Sequence, residues 1–251
     1  DFRLKGNLAH SLIEHFFRQP DALSLDDDQF NTWYASMFDQ TVEQEGAHLL
    51  MPGRKADAQR FRQRLQSAIH RLRRHLREAQ TQVIEPEVLL TGSFEGGELT
   101  GSADLVLHNA HGQRAIVDIK WAGHKKYMEK LQNNGHLQLA LYAELLRQKT
   151  GDWPAVAYFV IDKAELLVPD DAVFTGAKVV PSRTASNTAQ LWECFKQSWA
   201  WRQAQFDQRL FEVVMDDIEP TENSVPPDVG LEAETLNPSY NEYRHLAGWK
   251  V

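Results

Sequence analysis

Cysteine is almost absent from this chain, which has Cys194 and no other cysteine among its 251 residues. One thiol cannot form an internal disulfide, and it cannot supply the several thiolates that hold an iron–sulfur cluster. The length is sufficient for a large buried core. We therefore expect a fold that is stabilised by its core without covalent cross-links, in a reducing, cytoplasmic setting.

Long apolar runs are missing as well. No segment approaches the roughly 20 consecutive apolar residues that span a bilayer, and the first residues lack the pattern of a signal peptide. We therefore expect a soluble protein with no membrane association. The chain begins at Asp1 and enters a helical pattern almost at once, which suggests one domain of a longer polypeptide.

Positive charge is scarce overall but unevenly distributed. The formal net charge is -8, which excludes a uniformly basic protein and does not exclude a local groove for nucleic acid. Seven arginines lie between Arg60 and Arg77, whereas no lysine or arginine occurs between Arg209 and Arg244. The acidic stretch at 216–238 contains four prolines, so we expect an extended surface segment there.

Periodicity of the apolar residues predicts an α/β fold. Helical spacing is found over 6–18, 28–45 and 56–79, and again over 125–149 and 188–214. Alternating and β-branched residues predict strands over 83–90, 99–108, 113–121 and 156–162. The expected domains are a helical region (1–80), an α/β core (81–215), and an acidic segment with a tail that docks on the core (216–251).

Acidic residues occur inside two of the predicted strands. Asp104 lies in GSADLVL, and Asp118 and Lys120 lie at the end of AIVDIKW. Because side chains alternate along a strand, Asp118 and Lys120 point to one face and Ile119 to the other. Carboxylates near each other can hold a divalent metal, and an adjacent lysine can orient a water or offset transition-state charge on a phosphate.

These motifs resemble a known family of nucleases. GSAD, then IVDIK, then QLALYAELL resemble, in this order, the PD-(D/E)xK nuclease superfamily, and the upstream GNLAHSLIE resembles its RecB/AddB branch. The resemblance implies a restriction-endonuclease-like core, a mixed central sheet flanked by helices with an N-terminal helical region. It implies Mg²⁺ or Mn²⁺ as cofactor, and the following roles: His10, Asp104, Asp118 and the Ile119 carbonyl as metal ligands, Lys120 as the catalytic lysine, and Gln138 with Tyr142 as the Q-xxx-Y pair at the catalytic site.

Several alternatives stay open at this point. The branch usually has an acid on the preceding strand, and both Glu85 and Glu87 are candidates. His10 could be an ordinary helix residue, and Asp118 with Lys120 could be a structural ion pair. A nuclease fold that binds DNA or scaffolds a complex without cleaving, or one that cleaves RNA, would carry much of the same pattern.

The expected partner is DNA. The cations Lys125 and Lys126 follow the Asp118 strand, and Arg60, Arg64 and Arg71 share one side of a predicted helix, although a solvated surface explains them equally well. The chain lacks the GxxxxGK[ST] loop for ATP phosphates, so a helicase would have to be another domain or partner. We expect a metal-dependent DNA nuclease, with exonuclease action, in repair, recombination or defence.

Overall fold

The computed structural model describes residues 2–184, 187–210 and 231. Three helices precede the sheet, as the apolar spacing predicts. They are α1 (Phe2–Phe17), α2 (Asp27–Glu45) and α3 (Lys55–Glu78), with a short 3₁₀ helix, Ala47–Leu50, between the last two. Asp26 caps the start of α2 with a capping box. Its side chain accepts a hydrogen bond from the Gln29 backbone amide, and the Gln29 side chain accepts one from the Asp26 backbone amide.

Six strands and three further helices follow. Their order along the chain is β1 (Thr81–Phe94), β2 (Gly97–Asn109), β3 (Arg114–Lys120), α4 (His124–Gln132), α5 (Leu137–Thr150), β4 (Ala155–Val160), β5 (Glu165–Val168), β6 (Lys178–Val179) and α6 (Thr188–Asp207). The strands form one sheet in the order β1-β2-β3-β4-β5-β6. The pairs β3–β4 and β5–β6 are parallel and the others antiparallel, which makes the sheet mixed as predicted.

The first two strands form a long hairpin. Phe94 pairs with Gly97, and the two residues between them, Glu95 and Gly96, both have positive φ. That conformation is typical of a type I′ turn, whose twist matches the flanking strands. Both strands are longer than the sequence pattern predicts, since the hairpin extends well past the sheet core.

The two faces of the sheet are covered by different helices. Leu105, Val117 and Phe159 point to one face and join a core formed with α1, α2 and α3. Val106 and Ile116 point to the other face and pack with α5. Helix α6 packs against α5 through a smaller cluster that includes Trp192. The N-terminal helices therefore share one core with the sheet, and α1 packs against β1.

The segment predicted as a single helix, 125–149, is two helices. The break occurs at Asn134, whose φ is 58° and whose buried side chain bonds to Ser182 and Thr184. The helix predicted over 188–214 is shorter than expected, because α6 ends at Asp207. The predicted acidic segment and docking tail, 216–251, lie outside the described residues apart from Leu231. In the described part of the chain, no helix is long and apolar enough to cross a membrane.

The break places a buried histidine at the start of α5, with a consequence for stability. Burial, the largest cause, lowers the pKa of His136; the hydrogen bond to the Lys130 carbonyl opposes this, and the Lys130 charge lowers the pKa further. The folded state therefore favours neutral imidazole, whereas the unfolded chain takes up its proton at about pH 6.5. Stability from this group is present above that pH and is lost as the pH falls.

We expect His136 to decrease the free energy of unfolding as the pH is lowered below about 6.5, whereas His10 and Asp118, whose pKa values are raised in the folded state, contribute in the opposite direction. Urea denaturation at a series of pH values measures the dependence. His136→Gln should flatten part of this dependence, and His75, whose pKa burial also lowers, should account for another part. An unchanged pH profile in His136→Gln would contradict the assignment.

Candidate active site

The end of β3 brings an acid and a lysine together, as strand alternation predicts. Asp118 is almost fully buried, with 2% of its surface exposed, and one carboxylate oxygen lies 2.7 Å from the Lys120 ammonium. Lys120 remains partly exposed and also lies 3.5 Å from Gln138 Oε1. The pair combines a buried negative charge with a cation that solvent can reach.

Asp104 lies where β2 and β3 cease to pair. The ladder's last pair at this end is Leu105 with Val117, and beyond it the Ile119 amide donates to Asp104 Oδ2 instead of to a β2 carbonyl. In a strand the N–H and C=O of one residue point toward the same neighbour. The Ile119 carbonyl is therefore directed toward the β2 side, as a metal ligand at this place requires.

Helix α1 brings a histidine to the same place. His10 Nδ1 lies 3.4 Å from Asp104 Oδ1. Glu87 of β1 completes a group of three, because one ligand atom from each of His10, Glu87 and Asp104 lies within 4.8 Å of the others. His10, more than 75 positions before the other two in sequence, is thus brought to them by the fold.

The geometry favours Glu87 over Glu85 as the acid from β1. Glu85 lies 3.4 Å from His108, whereas Glu87 accepts from Ser102 at 3.2 Å and stands with His10 and Asp104. Glu87 has a φ of 51°, a left-handed conformation that non-glycine residues rarely adopt. The strand changes face here, since Ile84 packs with the α1–α3 core and Val88 with the α5 core.

The predicted pair on α5 also reaches the site. Gln138 Nε2 donates to the Tyr142 hydroxyl at 2.9 Å, and the other end of the amide faces Lys120. Tyr142 packs tightly on Gly101, where an added Cβ would come within 2.5 Å of the ring. A close approach of α5 to the hairpin therefore needs glycine at this position.

A comparison with protein-family models identifies the family of the chain. The model of the PD-(D/E)XK nuclease superfamily matches residues 1–224. The chain belongs to this superfamily. No curated protein matches the sequence significantly. Members of the PD-(D/E)XK nuclease superfamily are generally metal-dependent hydrolases, and the mixed sheet with flanking helices is consistent with a restriction-endonuclease-like fold.

The electrostatics of the PD-(D/E)XK site depend on burial and on close charges. Burial, the largest cause, and the charge of Asp104 raise the pKa of Asp118 to about 6, although Lys120 opposes them. Burial alone would lower the pKa of Lys120, but the charge and hydrogen bond of Asp118 raise it above its usual value. The pKa of His10 is raised in the same way, because Asp104 and Glu87 outweigh burial. The carboxylates lie close together, so a further positive charge at this place would stabilise their ionised forms.

The donor set of this PD-(D/E)XK protein fits a divalent metal. An imidazole nitrogen and carboxylate oxygens at short mutual distance are ligands that Mg²⁺ and Mn²⁺ accept. Burial of Asp118 and its repulsion by Asp104 give the acids a cation requirement that Lys120 alone does not satisfy. His10, Glu87 and Asp104, with the Ile119 carbonyl directed to the same side, would hold the ion. Asp118, also predicted as a ligand, lies outside this group of three, and its carboxylate contacts Lys120.

The remaining predicted residues lie on the surface, where no contact tests their role. Lys125 and Lys126 are exposed on α4, and Arg60, Arg64 and Arg71 are exposed on α3. Sequence reasoning missed Tyr127, whose ring centroid lies 5.8 Å from the Lys120 ammonium. Its spacing of seven residues from Lys120, across a turn with glycine at 123, gave no signal.

We expect Glu87→Gln to weaken binding of Mn²⁺ by about tenfold to hundredfold, because a neutral amide replaces a charged ligand. Isothermal titration calorimetry measures the affinity. The matched control is Glu85→Gln, the same change on the same strand, which should leave the affinity nearly unaltered. Equal losses in the two variants would contradict the choice of Glu87.

Proposed function

We propose that this chain is a Mg²⁺- or Mn²⁺-dependent DNA nuclease of the RecB/AddB-like branch, with exonuclease action, working in DNA repair, recombination or defence. Residues 1–80 would supply the metal-binding histidine, and 81–215 the PD-(D/E)XK core. A helicase or other motor would be a further domain or a partner, since the sequence has no ATP-phosphate loop of its own.

One observation carries the proposal. The His10 imidazole, delivered by a helix, lies 3.4 Å from Asp104, beside the strand that bears Asp118 and Lys120. A histidine on the first helix is the feature by which the chain resembles the RecB/AddB branch. The Gln138–Tyr142 hydrogen bond supports the same assignment, because it lies against the catalytic lysine.

Each side chain has a distinct part in the proposed hydrolysis. A bound divalent cation supplies Lewis-acid chemistry, lowering the pKa of water and neutralising phosphate charge. Lys120 is the exposed cation that orients the attacking water and offsets charge on the phosphate oxygens. Gln138 and Tyr142 hold the Lys120 side chain in place. Asp104 accepts a hydrogen bond from the Ile119 amide, and this bond fixes the backbone of Ile119 and so the position of its carbonyl.

The experiment incubates the protein with end-labelled linear single- and double-stranded DNA, closed circular DNA and RNA, in Mg²⁺, Mn²⁺ or EDTA. We expect metal-dependent loss of linear DNA while circles persist. Loss of circles would show endonuclease action, and loss of RNA alone would replace the DNA substrate. No cleavage of any substrate, with or without an added helicase partner, would reject the proposal and favour a binding module.

A further inference from the structure

Helix α3 has many more basic than acidic residues, and only some of the basic side chains have a partner in the described fold. Residues 55–78 contain eight lysines and arginines against two acids, in a chain whose net charge is -8. Several of these cations have structural work. Arg62 pairs with Asp39, Arg73 is buried against Leu25, and Arg77 donates to backbone carbonyls of the same loop.

Three other arginines of α3 make no contact of this kind within the described residues. Arg60, Arg64 and Arg71 are exposed, and within the described residues they form no ion pair or hydrogen bond. They are four and seven residues apart, so they lie within roughly 40° of one line along the helix, over about 16 Å. We call these three residues the α3 arginine stripe.

Helix stability does not explain the stripe. Like charges four residues apart, as in Arg60 and Arg64, destabilise an exposed helix by a few tenths of a kcal/mol. Asp57, an acid near its beginning, is engaged by Lys5 at 2.6 Å. A row of unpaired guanidinium groups is the arrangement that binds successive phosphates, since the planar fork matches phosphate oxygens.

The stripe begins near the part of α3 that packs against the end of β3 and against α1. Phe61, next to Arg60, has its ring 5.1 Å from that of Trp121, and Trp121 directly follows Lys120. The Lys5–Asp57 pair joins the same end of α3 to the helix that carries His10. The stripe therefore starts on the part of α3 that packs against the residue after β3 and against α1.

We propose that the α3 arginine stripe binds the sugar–phosphate backbone of a DNA strand outside the catalytic centre. This inference rests on the proposed function for the kind of polymer bound. It assigns to α3 the task of holding long substrates, and leaves hydrolysis to the metal site. Phosphate contacts of this kind carry no base specificity, so binding through the stripe is independent of sequence.

The test compares two triple variants with equal loss of charge. The first is Arg60→Gln/Arg64→Gln/Arg71→Gln, and the control is Lys149→Gln/Lys163→Gln/Arg209→Gln, which removes three exposed cations elsewhere. Binding of a labelled single strand of about 30 nucleotides is measured by fluorescence anisotropy in EDTA, over a range of KCl concentrations. Circular dichroism verifies that both variants are folded.

We expect the stripe variant to bind the strand at least about tenfold more weakly, and its log affinity to depend less on log salt by about two units of slope. The control should bind like the unaltered protein. Equal weakening in both triples, or none in the stripe variant, overturns the inference. Tighter binding of wild-type protein to an acidic peptide than to DNA also overturns it.

A separate readout distinguishes failure of the stripe from failure of the proposed function. Hydrolysis of bis(p-nitrophenyl) phosphate, which is too small to reach α3, should proceed equally in the stripe variant and the unaltered protein. Absence of that hydrolysis in every protein would reject the nuclease function, while the binding measurement in EDTA would still decide the role of the stripe.

Discussion

Lys120→Ala should lower the rate of metal-dependent DNA cleavage by about 10³-fold, because removal of one group that stabilises transition-state charge costs this much. Lys120 combines a 2.7 Å contact to Asp118 with partial exposure to solvent. Initial rates on end-labelled linear DNA at saturating Mg²⁺ measure the effect.

Two comparisons make this result specific. Lys149→Ala removes an exposed lysine at the end of α5 and should retain full activity. Loss of Lys120 removes the cation beside Asp118 and could alter metal binding. The affinity of Lys120→Ala for Mn²⁺, measured by titration, therefore separates a slower chemical step from weaker binding of the metal. A rate within a few fold of the unaltered protein would exclude Lys120 as the catalytic lysine.

Phe16→Ala should destabilise the fold by about 4 kcal/mol, the usual cost of truncating a buried phenylalanine. The Phe16 ring is fully buried, with centroids 5.4 Å from Phe30 and 4.8 Å from Trp33. The Arg73 guanidinium lies 5.6 Å from the same ring centroid. Truncation would leave a cavity between α1, α2 and α3. Urea denaturation measures the change, and the melting temperature should fall by about 10 °C.

The matched variant is Phe2→Ala, a phenylalanine in the same helix that is 65% exposed. Its truncation should change the stability by less than about 0.5 kcal/mol. If the two variants were equally stable, the aromatic packing that joins the N-terminal helices would be wrong. Because α1 also carries His10, severe loss of this packing should reduce metal binding as well.

Much of the site follows from local sequence rules. The period of two along β3 places Asp118 and Lys120 on one side, and their 2.7 Å contact confirms it. The spacing of four along α5 places Gln138 beside Tyr142, and their hydrogen bond confirms that as well. Both rules act within one element, so no knowledge of the tertiary fold is needed.

Other features depend on contacts between distant parts of the chain. A regular strand would direct Glu85 and Glu87 to the same face, so alternation cannot choose between them. The positive φ of Glu87 and its contacts with Ser102, His10 and Asp104 separate the two, and neither feature has a sequence signal. The division of 125–149 likewise depends on Asn134, whose partners Ser182 and Thr184 are about fifty residues away.

The Glu-Pro-Glu segment of β1 has a second consequence, for association between molecules. β1 is an outer strand of the sheet, 14 residues long, with Val83 and Leu89 exposed. No strand in the described part of the chain pairs with the outer edge of β1, and an unpaired edge of this kind can pair with another copy and initiate aggregation. Pro86 offers no amide for such pairing, and the carboxylates on either side of it repel an approaching strand. We therefore expect the segment that brings Glu87 to the candidate site also to oppose association between molecules.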